Sequence, residues 1–177
     1  APAGFSNAVV VGDFEGGLDG WWPQDATLSV STTGATVGTQ AMQVDGPGYW
    51  NLDGWVDAMP HRTLLGTKGA MVKADVTAFA ADMTTTWMQV GMAVFGQDTN
   101  DRGANNNIGW QDLGFLDLPR DGQPHTLTWT LSDALTTAIA GTDDNIWYFR
   151  LVLSSKVDEA SVTKFYIDNI QLISGAP

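Results

Sequence analysis

The sequence predicts an all-β chain folded as an antiparallel β-sandwich of the jelly-roll kind, and three observations predict it. Apolar and polar residues alternate at a period of two through most of the chain, the spacing of strands with one buried face. Clusters rich in Gly, Asn, Asp and Pro interrupt these stretches at short intervals. Only residues 132–140 have a helical composition, with a Ser or Asp to cap one or two turns, so no crossover helices are present to build a parallel sheet.

Taken in order, the expected strands are 9–14, 28–32, 41–45, 72–77, 88–94, 108–116, 126–131, 146–154 and 165–173, about nine or ten in all once the ambiguous stretch 49–55 is allowed for. Val72, Ala74 and Val76 alternate with Lys73, Asp75 and Thr77, and Leu127, Trp129 and Leu131 with a run of threonines. Met88, Val90, Met92 and Val94 form the inward set of their strand. In 108–116, Leu113 and Phe115 read as core. In 146–154, Phe149, Leu151 and Leu153 read as core, and Trp147 shares their parity.

The 177 residues are expected to form a single domain, with a folded core of about 5–173 and small, Pro- and Gly-rich, linker-like ends. A chain of this length buries about 70% of its unfolded surface and needs no staple. With no cysteine there is no disulfide and no thiolate chemistry, which leaves export open. Eight basic against 20 acidic residues give a net charge of −12, which repels nucleic acid and anionic lipid and disfavours anionic polysaccharides. No stretch approaches the roughly 18 apolar residues of a membrane span. The expected partners therefore include neither nucleic acid nor membrane, and the chain is expected to be a monomer.

Eight tryptophans are the most informative feature of the composition. Sugar rings stack their C–H faces on aromatic planes while their hydroxyls take amide, carboxylate or guanidinium partners, so a glycan site mixes these residue types. Parity sorts the candidates. If Met88 to Val94 fill the core, Trp87 and Gln89 face outward, followed by Gly91 and Ala93, small enough to leave a groove floor. The same argument places Trp110 and Asp112 outside on the next strand, and Tyr148 and Arg150 outside on 146–154. Trp21 and Trp129 read as packing residues.

Asp13-Phe14-Glu15 followed by Gly20-Trp21-Trp22, and Phe165-Tyr166-Ile167-Asp168-Asn169-Ile170 near the other end, form an ordered pair. This series resembles the jelly-roll carbohydrate-binding modules of families 4, 11 and 22, and Gly48-Tyr49-Trp50 adds a likeness to family 11. The resemblance implies a non-catalytic module that binds a neutral β-glycan of the β-glucan, xylan or mannan type in a concave aromatic cleft. It implies secretion, and a glycoside hydrolase in the same parent chain that the module targets to its substrate. It adds Tyr49 to the ligand set, with Trp50 pointing the other way. It also implies a structural calcium held by Glu15 and Asp168, with Asp13 as a further ligand and carbonyls near Thr39 to Ala41, since Ca2+ takes six to eight hard oxygens.

A second calcium site is suggested by the loop 97–107, where Asp98, Asn100 and Gly103 match places in an EF-hand; Arg102 and Gly109 break the match. Catalysis finds little footing. Asp13 and Glu15 are the only carboxylates spaced for glycoside hydrolysis, in the motif assigned to calcium, and His61 and His125 lack a nucleophile or metal-ligand spacing. The chain is expected not to be an enzyme. The alternatives are a structural or adhesion sandwich of a surface protein and, behind it, a jelly-roll hydrolase or lyase.

Overall fold

A computed structural model describes residues 7–47, 49–97, 107–158 and 162–175. Eleven strands and two short α-helices follow one another in these residues: β1 (Ala8–Gly12), β2 (Trp22–Pro23), β3 (Thr27–Ser31), β4 (Ala41–Pro47), β5 (Trp50–Asp57), α1 (Arg62–Leu65), β6 (Met71–Thr77), β7 (Met88–Gln97), β8 (Gly109–Asp117), β9 (His125–Thr130), α2 (Asp133–Ala140), β10 (Tyr148–Val157) and β11 (Val162–Ile173). All pairings are antiparallel. One sheet runs β3-β4-β11-β6-β9, with β1 also on β11, and the second runs β2-β5-β10-β7-β8. We call them the β11 sheet and the β10 sheet. The two pack face to face as a β-sandwich consistent with a jelly roll.

The core is the expected one where alternation is clean. Met88, Val90, Met92 and Val94 are sealed between the sheets with Phe149, Leu151, Leu153, Phe165 and Trp129. Trp21 is buried and its indole N–H donates to the Val11 carbonyl at 3.0 Å. Ser132 caps α2 by accepting from the Leu135 N–H at 3.2 Å.

β5 lacks an alternating sequence because two of its inward positions are polar and its ladder to β10 slips by one residue at Asp53, between the pairs Leu153–Gly54 and Ser154–Leu52. Asn51 and Asp53 point into the sandwich, where Ser155 donates to Asp53 at 3.2 Å and Thr163 donates to the Gly46 carbonyl at 2.6 Å. A Cβ at Gly46 would stand 2.8 Å from the Asn51 amide nitrogen and 3.2 Å from the Ala26 Cβ, so any larger residue there would have to displace the buried Asn51 side chain.

β11 explains why its motif reads Asp-Asn. The ladder to β6 slips by one residue between Asp168 and Gln171, and Asn169 adopts φ 51°, a left-handed conformation that Asn tolerates well. β4 pairs with the first half of β11 and β1 with the last part, so the bulge lies where these neighbours hand over. The loop before β4 is tied to this junction. Asp168 accepts the N–H groups of Thr36 (2.7 Å) and Val37 (2.9 Å), and Glu15 accepts those of Thr39 (2.8 Å) and Gln40 (2.7 Å).

The same loop covers the middle of the outer side of the β11 sheet, over Tyr166 and Asp168. Gly34, at φ 81°, lies so close over Tyr166 that a Cβ would sit 2.3 Å from the tyrosine Cβ, and Phe79 meets the Tyr166 ring edge-on at 5.9 Å. The outer side of the β10 sheet has no comparable cover among the described residues, and there the exposed aromatics gather.

Candidate ligand-binding face

Register and burial together define the outward positions of the β10 sheet. Arg150 on β10 lies between Asp57 of β5 and Phe95 of β7, and Phe95 lies opposite Trp110 of β8. One step along, Val152 lies between Trp55 and Ala93, with Trp22 of β2 beyond Trp55 and Asp112 of β8 beyond Ala93. A transverse band therefore carries an aromatic on β2 (Trp22), β5 (Trp55), β7 (Phe95) and β8 (Trp110), with Tyr148 and Arg150 on the central β10. Four inter-strand steps make it about 19 Å wide.

The rings hold one another. Phe95 lies 5.3 Å from Tyr148 and 6.0 Å from Trp110, centroid to centroid. The Arg150 guanidinium sits 3.9 Å from the Trp55 centroid and 4.6 Å from that of Tyr148, within cation–π range of both. Polar neighbours fix the edges: the Trp110 indole N–H donates to Asp112 at 3.0 Å, the Tyr148 hydroxyl donates to Gln97, and Gln89 donates to Asp117 at 2.9 Å. Further along the face, Lys156 stands 4.0 Å over the Phe115 ring.

Phe115 corrects the sequence expectation that it is core. The β7–β8 ladder slips at Leu113-Gly114, where Gly114 takes φ 113°, so the parity reverses after Asp112. Trp110, Asp112, Phe115 and Asp117 all lie outward, while Leu113 and Leu116 pack against the core. The buried Trp129 donates its indole N–H to the Gly114 carbonyl at 3.1 Å and pins the bulge from inside. Gly91 is consequently no open floor: Phe115 lies on it, with its ring 2.8 Å from where a Cβ would stand. Ala93, Gly91 and Val152 are buried beneath taller neighbours, so the described residues form an aromatic shelf.

The other expected residues fall nearby with differences. Trp87 immediately precedes β7, is 40% exposed and keeps the parity of Gln89. Its approach is held by Asp158, which accepts from Thr85 and Thr86, and by Arg120, which donates to the carbonyls of both. Tyr49 is exposed just before β5, but Trp50 takes the outward register position opposite Lys156. Trp147 is not core: β10 begins only at Tyr148, and Trp147 stands 63% exposed with its ring 5.1 Å from that of Tyr148. The EF-hand-like positions of 98–103 and Gly48 lie outside the described residues. Sequence reasoning missed Trp55 and Phe95. Phe95 was findable, since it continues the outward set Gln89, Gly91, Ala93; Trp55 was hidden by the irregular β5.

The expected calcium ligands are arranged around hydrogen bonds. Both Glu15 and Asp168 converge on the loop before β4, yet their oxygens face amide hydrogens, and Asp13 accepts the Glu15 N–H at 3.3 Å. Among the described residues no group of three or more His, Asp or Glu is gathered for a metal. The N–H groups of Gln40 and Thr39 hold the Glu15 carboxyl below its usual pKa. Cavities also lie away from the aromatic face, among them a small one of about 310 Å³ between α1 and α2. One of about 440 Å³ is lined by Val10, Asp13, Asp19, Asp57 and His61, and one of about 650 Å³ lies between α1 and the residues next to both chain ends. His125 contacts Asp121 at 3.0 Å on the surface.

No protein-family model matches the chain, and no curated protein matches it. Solved structures do. The xylan-binding family 22 domain of Paenibacillus barcinonensis Xyn10C superposes with a TM-score of 0.63 at 15% identity, covering 100% of this chain and 99% of that one. The chain has the fold of the jelly-roll carbohydrate-binding modules. The family 11 module of Clostridium thermocellum Lic26A-Cel5E has a TM-score of 0.52 at 18% identity, with 96% and 95% covered. Of the Clostridium thermocellum Xyn10B structure that joins a family 22 module to a family 10 catalytic module, complexed with xylohexaose, this chain spans 28%; 94% of the chain is covered, at 15% identity and a TM-score of 0.61. The jelly-roll module fold is thus reached from the sequence motifs and from the superposition separately.

Proposed function

We propose that the chain is a non-catalytic carbohydrate-binding module that grips a β-linked glycan with a neutral backbone across the outer face of the β10 sheet. The observation that carries this reading is the transverse band Trp22, Trp55, Tyr148, Phe95 and Trp110, which offers aromatic planes from edge to edge of a sheet face that no other described residues cover. Asp112 and Arg150 supply hydrogen-bonding groups between them, and Gln89 with Trp87, Tyr49 and Trp50 extends the surface at the other end. Stacking is favourable for any sugar face; the polar groups select orientation. The solved structures of this fold include a xylan-binding domain and a module joined to a catalytic domain and complexed with xylohexaose, which supports a xylan-type ligand and an attached glycoside hydrolase; β-glucan and mannan, with the same neutral β-linked backbone, and an extracellular setting belong to the same proposal. Binding would then act by raising the local concentration of the enzyme at its substrate.

Affinity electrophoresis in soluble β-glucan, xylan and mannan tests the reading. Retardation in at least one of them is expected, and Trp55→Ala or Trp110→Ala should weaken it by about 1–3 kcal/mol with little change in melting temperature. A protein that runs freely through all three, while associating through its aromatic face, is the adhesion sandwich instead. A structural calcium on Glu15, Asp168 and Asp13 is proposed separately; it would cross-link the first motif to β11 and to the loop before β4.

A further inference from the structure

Among the described residues, four cations of this acidic chain are engaged by oxygen acceptors, and Lys73 lies on β6 of the β11 sheet, away from the proposed ligand face. Arg62 pairs with Asp144 at 3.3 Å, Lys68 with Asp133 at 3.1 Å and Lys164 with Asp45 at 3.9 Å, while Arg120 donates to the Thr85 and Thr86 carbonyls. Arg150 and Lys156 are different. Both rise from the outward face of the central strand β10, both lie over aromatic rings, and neither has a carboxylate or hydrogen-bond acceptor among the described residues. Asp57, the register neighbour of Arg150, turns one oxygen to the Met59 N–H at 2.9 Å instead.

We propose that Arg150 receives the carboxylate of an acidic sugar substituent on an otherwise neutral glycan chain. This rests on the reading that the outer face of the β10 sheet binds glycan, and it deepens that reading by naming a substituent. A half-buried guanidinium stacked between Trp55 and Tyr148 has lost part of its hydration, and the rings return only part of that cost. Stacking leaves its planar N–H edge free, and that edge matches a carboxylate bidentately. Trp55 and Tyr148 on either side would hold the backbone sugars while the fork takes the substituent. The net charge of −12 sets the density of carboxylates that is tolerated: a polymer charged at every sugar is repelled, whereas an isolated carboxylate brought against Arg150 is governed by contacts within a Debye length of about 8 Å.

The experiment uses two matched pairs of polymers: glucuronoxylan with its carboxyl-reduced form, and β-glucan before and after light oxidation at C6. In whichever pair has its neutral member bound, the acidic member should be held about tenfold more tightly at about 0.15 M ionic strength, with the ratio shrinking as salt is added beyond that. Arg150→Gln should bring that ratio to about one, and Arg150→Lys should keep part of it. The ratio is internal to each protein, so a general loss of affinity in a variant does not imitate the effect. Equal or weaker binding of the acidic polymer by the unaltered protein overturns the proposal and leaves the glycan reading standing. A preference that persists in Arg150→Gln overturns the role of Arg150. Binding to mannan alone, with neither acidic polymer held, overturns the proposal as well, and no binding to either pair or to mannan removes the glycan reading itself.

Discussion

Asp53 shows how much one side chain can govern the response of this protein to pH. It is wholly buried, accepts a single hydrogen bond from Ser155, and leaves its second oxygen unpartnered, as is the Asn51 amide nitrogen. Burial pushes its pKa up to about 8, with Asp25 nearby adding to the rise. The folded state therefore keeps a proton that the unfolded chain releases above about pH 4, and stability falls as pH rises from about 4 to about 8, by at most about 1.4 kcal/mol per unit. Asp53→Asn, with a neutral amide in the same space, should raise the melting temperature at pH 7 to 8 and flatten the profile over that window. Glu15 acts with the opposite sign: its pKa is depressed, so its contribution is present above its unfolded pKa and is lost as pH falls through the folded value. Glu15→Gln should therefore blunt the acid side of the profile. Thermal melts of both variants across pH 3 to 9 separate the two effects, and parallel curves for Asp53→Asn and the unaltered chain would refute the first.

At the scale of elements, the bulge in β8 decides what the ligand face looks like. Without it, strict alternation would send Phe115 into the core and uncover Gly91. Gly114 at φ 113° makes the slip, and Trp129 fixes it from inside the sandwich. A Cβ at Gly114 meets no neighbouring atom, so Gly114→Ala carries backbone strain alone, about 1–3 kcal/mol. The expected outcome is a lower urea midpoint together with weaker glycan retention, because Trp110 and Asp112 are aimed by the same strand. Loss of stability with unchanged retention would show that the outer face does not depend on the bulge. The bulge in β11 plays a matching part elsewhere, since it turns Asp168 toward the loop before β4 and lets β1 follow β4 along one strand.

Across the whole molecule, the two sheets have divided labour. The middle of the outer side of the β11 sheet is occupied by the chain itself, through Gly34 on Tyr166 and through the Thr36–Val37 amides on Asp168, while the outward threonines of β9 stay exposed. The outer side of the β10 sheet carries the exposed rings. The clip made by Glu15 and Asp168 joins the first motif, the loop before β4 and β11, so it bears on global stability and stands apart from the ligand face. If calcium occupies it, CaCl2 should raise the melting temperature, chelator should reverse the rise, and Asp168→Asn should abolish it; superimposable melts would retire the metal and leave a clip made of amide hydrogen bonds.

The sequence by itself determined the all-β class, the inward set of β7, the buried roles of Trp21 and Trp129, and the outward parity of Gln89, Trp110, Tyr148 and Arg150, because these positions follow from a period of two and from side-chain transfer out of water. The paired end motifs were legible for the same reason, each being local. Only the tertiary structure decided Phe115, Trp55, Trp50 and Trp147. A bulge reverses parity through one backbone slip that leaves no mark beyond a glycine, a strand with polar inward residues and a slip of its own, as β5 has at Asp53, does not alternate, and where β10 begins depends on its partners β5 and β7 rather than on its own residues.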